Sequence, residues 1–198
     1  MNNLAASSNE VVSFEDEKLI LVDEHDNEIG NLSKDKCHDG QGRLHRAFSL
    51  FIFNRDGEVL LQQRSGQKRL WPMYWSNACC SHPRQGEEMS EAINRRLQQE
   101  LGMTSELEFL FKFIYQAQYD ELGSEHELCW VYLGRSADDI VVNANEIADW
   151  RYVSVDELNH ELASDPASFT PWMKLEWQRI QEEHGSRLRQ FAAAGGER

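Results

Sequence analysis

The feature that most narrows the fold of this chain is a turn. Residues 47–53 and 58–63 are β-rich apolar runs, and Asn54-Arg-Asp-Gly57 joins them. An Asp-Gly pair between such runs is a strong hairpin signal, because a tight turn needs residues that tolerate positive φ. Further strands are expected at 18–22, 108–119, 128–133 and 149–153. Three helical patterns stand among them. Ser90 is placed to cap the first, which stops at Gly102. Its buried stripe is Ile93, Leu97 and Leu101, with Ala92, Arg96 and Glu100 in the adjoining row at the same spacing. Ser154 and Glu157 form a capping box ahead of Leu158 and Leu162. Thr170-Pro171 opens the third, with proline at the first helical position and Met173, Trp177 and Ile180 striping one face. Hairpins interrupted by a few helices predict an α+β domain with a mixed β-sheet flanked by helices, not a doubly wound parallel sheet.

At 198 residues, 40% of them hydrophobic, the chain has material for one core without disulfide staples. The polar start and the run ending in Gly-Gly-Glu-Arg198 predict tails at 1–17 and 186–198 around a single domain spanning 18–185. A formal net charge of −14 argues against nucleic-acid and anionic-membrane partners. No segment resembles a signal peptide or approaches transmembrane length. Cys37, Cys79, Cys80 and Cys129 show no C-x-x-C spacing, so free thiols in a reducing cytoplasm are expected. The tails are short and polar, and no oligomerisation element stands out, so a monomer is expected.

The chemistry concentrates in Trp75-Ser-Asn-Ala-Cys-Cys-Ser-His-Pro83, which sets the Cys80 thiol two residues from the His82 imidazole, ahead of a helix carrying carboxylates. The stretch 81–103 resembles a degraded Nudix box, G-x5-E-x7-R-E-U-x-E-E-x-G-U. Glu87, Arg95, Leu97, Glu100, Gly102 and Met103 match, while Ser81, Arg96 and Gln99 replace a glycine and two glutamates. Losing two glutamates weakens a hydrolytic ion cluster yet leaves room for one diphosphate-bridging ion. These departures, with the Asn-x-x-Cys-x-His-Pro run, resemble type I isopentenyl-diphosphate delta-isomerases. Leu44-His-Arg-Ala-Phe48, Arg69-Leu-Trp-Pro72, Glu125-His-Glu127 and Phe169-Thr-Pro-Trp-Met173 agree in order and spacing.

The resemblance implies that His38, His45, His82, Glu125 and Glu127 ligate one divalent ion. Such a nitrogen and oxygen set suits Mg²⁺, Mn²⁺ or Zn²⁺. It also implies that Lys34, Arg64, Lys68 and Arg96 grip a substrate diphosphate, and that Glu100 ligates the Mg²⁺ bound with it. The implied reaction moves the double bond of isopentenyl diphosphate to give dimethylallyl diphosphate, for isoprenoid synthesis. Cys80 and Glu127 are its implied proton-transfer groups, with Tyr115 bonded to the carboxylate and Trp172 facing the developing positive charge. Glu127 with Tyr115 is expected to donate and Cys80 to take the C2 proton. A Nudix hydrolase is the nearest alternative, and the missing acids at 96 and 99 count against it. A metal-stabilised binding module would leave Cys80 and Glu127 without a task.

Overall fold

The Asp-Gly turn forms in the computed structural model, which describes residues 9–193. Asn54 accepts through its side-chain oxygen from the amides of Asp56 and Glu58, and Gly57 takes a φ of 78°. The hairpin is nevertheless short, because only Phe53 and Val59 pair between His45–Phe53 (β3) and Val59–Arg64 (β4). Both strands carry apolar residues on both faces, so each is drawn into the sheet interior and recruits other partners. β3 runs parallel to Gly123–Arg135 (β8), from His45↔Glu127 to Phe53↔Arg135. On its other side it pairs antiparallel with the short Cys79–Ser81 (β6), Ser49 opposite Cys80. β4 pairs with Trp75–Asn77 (β5) and Ile147–Val153 (β9), and β8 with the long Glu106–Tyr119 (β7). Lys18–Val22 (β1) and Glu28–Ser33 (β2) form a further antiparallel pair beside the start of β3. One parallel pairing among antiparallel ones makes the expected mixed α+β sheet.

Alternation along β3 divides the core. Ala47, Phe51 and Phe53 pack on one face with Trp172, Met173, Trp177 and Ile180 of Pro171–Ala192 (α4). Phe48, Leu50 and Ile52 pack on the other with Ile93, Leu97 and Leu101 of Met89–Leu101 (α2). Each large side chain buried this way contributes about 1.5–3 kcal/mol. Ser49 is the polar interruption on the α4 face, and it becomes important below.

Several boundaries move. Ser90 lies inside α2, not at its cap: Glu88 holds the extended cap conformation, and its amide donates to Glu91 three residues on, at 3.2 Å. The Ser154 box caps Val155–Ser164 (α3) as expected. Lys34–His38 (α1), β2, β5 and β6 were not anticipated; each is too short or too polar to show a period. α4 runs past residue 185 to Ala192, with a kink at His184, because Leu188 is buried and Phe191 packs 5.8 Å from Phe53. The described part of the N-terminal tail is not loose either, since Val12 is buried and residues 9–17 form a strap whose carbonyls accept from Lys34, Asp35, Arg96, Asn143 and Asn145. Residues 1–8 and 194–198 lie outside the described part. No helix among the described residues is long and apolar enough to cross a membrane.

Candidate active site

The strand pairing brings three imidazoles and two carboxylates together. His45 opens β3, and Glu127 sits opposite it on β8. Glu125 is two residues earlier, on the same face of the strand. His38 ends α1, and His82 follows β6. All five present ligand atoms within 4.8 Å of one another, four of the residues being buried. His38 Nε2 lies 2.8 Å from Glu125, and His82 Nε2 lies 2.8 Å from Glu127. The ring orientations are set by the backbone. Nδ1 of His38 donates to the Lys34 carbonyl and Nδ1 of His45 to the Arg43 carbonyl, both at 2.7 Å. Each bond fixes the proton of the neutral ring on Nδ1 and aims Nε2 inward, the tautomer a metal ligand requires. His45 Nε2 is buried with no hydrogen-bond partner. An orphaned acceptor of that kind fits a cation, so the residues present suit a divalent ion. Gly123 secures the arrangement: at φ 155°, a Cβ there would stand 2.2 Å from the His38 carbonyl oxygen.

Glu127 also meets the second expected group, since the Tyr115 hydroxyl donates to its Oε2 at 2.6 Å. Cys80 stands across β3 from it, and both line one cavity of about 200 Å³. Trp172 enters from the start of α4, its indole N–H donating to the Cys80 sulfur at 3.2 Å. Strand alternation turns Cys79 to the other face, into the α2 core, where its thiol reaches Glu100 at 3.4 Å. Burial pushes the Cys80 thiol well up. For Glu127, burial opposes ionisation, but the His45 imidazole and the Tyr115 hydroxyl outweigh it and lower the pKa. Burial and then Glu127 raise Tyr115 well above its ordinary value. Burial works against protonation of His38 too, yet Glu125 carries it up to about 9, while His82, buried beside His45 and His38, is pushed well below its usual range.

The four expected cations line the same cavity. Their partners were largely unforeseen. Arg96 pairs with Glu100 at 2.6 Å and Glu146 at 3.2 Å, and donates to the Val12 carbonyl at 3.0 Å. Lys68 also pairs with Glu146, whose pKa falls to about 2 because Lys68 and Arg96 overcome its burial. Lys34 meets Ser13 and Glu15 of the strap, and burial followed by the Lys68 charge lowers its pKa. Arg64 donates to the carbonyls of Leu70 and Trp71 and lies 5.1 Å over the Trp172 ring. Glu100 is brought to Arg96 but is not among the residues that line the cavity. Glu146, by contrast, lines it. A lone glutamate after an Asn-Ala-Asn turn carries no pattern that would have flagged it.

Residues 43–173 match the NUDIX domain family. The isopentenyl-diphosphate Delta-isomerase 1 of Photorhabdus laumondii is 41% identical over 174 residues, covering 87% of this chain and 99% of its own. This chain belongs to the isopentenyl-diphosphate Delta-isomerase family. The isomerase of Serratia proteamaculans is 43% identical over 79% of this chain and 87% of its own, and that of Gibberella zeae 36% over 87% and 77%. Among solved structures, a Deinococcus radiodurans protein superposes with a TM-score of 0.68 at 21% identity, over 82% of this chain and 98% of its own. The MutT protein of Methanosarcina mazei follows at 0.59 and 17%, over 71% and 95%. At those identities the two structures establish the fold alone. Within the isomerase family's Nudix frame, the altered box is locally coherent. Glu87 is taken up by Arg95 at 2.6 Å and by the Arg84 amide at 2.9 Å, and Arg96, where the box has glutamate, joins the cation cluster.

Proposed function

We propose that this cavity interconverts isopentenyl diphosphate and dimethylallyl diphosphate. One observation carries the reading: a thiol and a tyrosine-bonded carboxylate line one small cavity from two strands flanking β3. The isomerisation needs one proton delivered to the terminal alkene carbon and one removed from C2. The alkene electron pair forms the new C–H bond, and the C2–H pair becomes the new double bond. Glu127 with Tyr115 serves one carbon and Cys80 the other. The reaction is reversible, so each group donates in one direction and accepts in the other. The pair shares one proton, which rests on sulfur when Cys80 is a thiol and Glu127 a carboxylate. A Cys80 base therefore requires that proton on the Glu127–Tyr115 side first.

Positive charge develops at C3, and the Trp172 ring supports it by a cation–π attraction worth roughly 0.5–2 kcal/mol. Lys34, Arg64, Lys68 and Arg96 hold the diphosphate, with Arg96 supplying a planar fork. A Mg²⁺ arriving with the diphosphate would take Glu100, with Glu146 beside it. His38, His45, His82, Glu125 and Glu127 would hold a second ion, Mg²⁺, Mn²⁺ or Zn²⁺. Its charge would tune the acidity of the Glu127 carboxyl. Four free cysteines suit the cytoplasm as the place of action. Purified protein given Mg²⁺ and isopentenyl diphosphate is expected to yield an acid-labile allylic product and no free phosphate. Absence of isomer after metal reconstitution overturns the reading, and phosphate release would move the chain to the hydrolases.

A further inference from the structure

α4 delivers a second residue to the thiol besides Trp172. One turn later, Glu176 stands on the same buried face, fully enclosed. It has no ion-pair partner among the described residues. Its Oε2 accepts from the Ser49 hydroxyl at 2.7 Å, and its Oε1 accepts from the Cys129 thiol at 3.4 Å. Ser49 lies 3.1 Å from the Cys80 sulfur and also accepts from the Asn77 side-chain amide at 2.9 Å. The Asn77 oxygen in turn accepts from the Cys80 thiol at 3.0 Å. A serine hydroxyl has one proton to place. With that proton committed to Glu176, the Ser49 lone pairs face Asn77 and Cys80. Without Glu176, the Ser49 hydroxyl is free to donate to the sulfur and take up a lone pair that otherwise faces the cavity.

We propose that Glu176 is a positioning residue, which acts through Ser49 to orient the Cys80 sulfur toward the cavity. This rests on the role of Cys80 given above. No charge is required of Glu176. Burial pushes its pKa up to about 8, and the carboxylic acid, with its own proton on Oε1 toward the Cys129 sulfur, still offers Ser49 an accepting Oε2. Two sequence signals mark the pair: a glutamate within the apolar stripe of a helix, and a serine inside an otherwise apolar strand.

Steady-state kinetics on isopentenyl diphosphate test the link. Glu176→Leu, which removes the acceptor while keeping volume, is expected to lower kcat about tenfold with KM within about twofold, as loss of one orienting hydrogen bond implies. Glu176→Gln keeps an accepting oxygen and should recover kcat to within about threefold. Ser49→Ala should reproduce the leucine loss, and the double variant should be no slower than either single, since the two act as one unit. Wild-type kcat in Glu176→Leu, equal losses in the Gln and Leu variants, or additive losses in the double variant would each overturn the proposal. If Glu176→Leu does not fold, Ser49→Ala decides: wild-type kcat there also overturns it. Cys80→Ala separates the two levels. Activity retained in that variant removes Cys80 itself, whereas a dead Cys80→Ala beside a wild-type Glu176→Leu removes only this link.

Discussion

The two ends of the cavity are both crowded with charge, yet they are built on opposite principles. At the His/Glu end, backbone carbonyls hold His38 and His45 by Nδ1, strand register places Glu125 and Glu127, and an inward-facing nitrogen is left with no partner. At the cation end, every basic side chain already has partners within the chain: Glu146 and Glu100 for Arg96, Glu146 for Lys68, Ser13 and Glu15 for Lys34, and two carbonyls for Arg64. The first end is pre-organised for a cation; on the proposed function, the second exchanges partners when a diphosphate binds. The contrast implies that damage to the first end shows in turnover and damage to the second in affinity.

The largest effect is expected from Glu127→Gln. The amide keeps the shape but neither ligates nor transfers a proton, so kcat should fall by about 10³-fold or more. A loss confined to KM would break the comparison. Arg96→Ala should do the reverse, raising KM for isopentenyl diphosphate by about 30-fold with a smaller change in kcat. An unchanged KM would remove Arg96 from the diphosphate grip. The smallest effect is thermodynamic and belongs to the cation end alone. Glu146 is depressed to about 2 from an unfolded value near 4.5, so the unfolded chain binds its proton first as pH falls. The stability it confers is present above pH 4.5 and disappears as pH drops through about 2, a swing on the order of 3 kcal/mol. Chemical denaturation between those pH values should show a shallower slope in Glu146→Gln than in wild type. Equal slopes would mean that Glu146 is not held by Lys68 and Arg96.

Sequence patterns reached the two ends unequally. The His/Glu set was readable because its members sit in family motifs, and Glu125 and Glu127 share a face by simple alternation. The partners at the cation end come from segments without pattern: the Val12–Glu15 strap, which looks like a polar tail, and Glu146 in an Asn-rich turn. Their positions follow from long-range packing, which no local window contains. The hairpin shows the same limit. Its turn chemistry was correct, but residues buried on both faces of β3 and β4 drew each strand to partners far away in sequence. Glu176 was hidden differently, as a charged residue on a stripe read for its apolar neighbours.

The strap contact at Arg96 has an energetic consequence for substrate entry. Arg96 is only 3% exposed, with the Val12 carbonyl among its acceptors. Its guanidinium is therefore dehydrated when the chain folds and not when a diphosphate binds. On the proposed grip, an incoming phosphate oxygen meets a guanidinium already stripped of water, so the binding step carries mainly the dehydration of the phosphate itself.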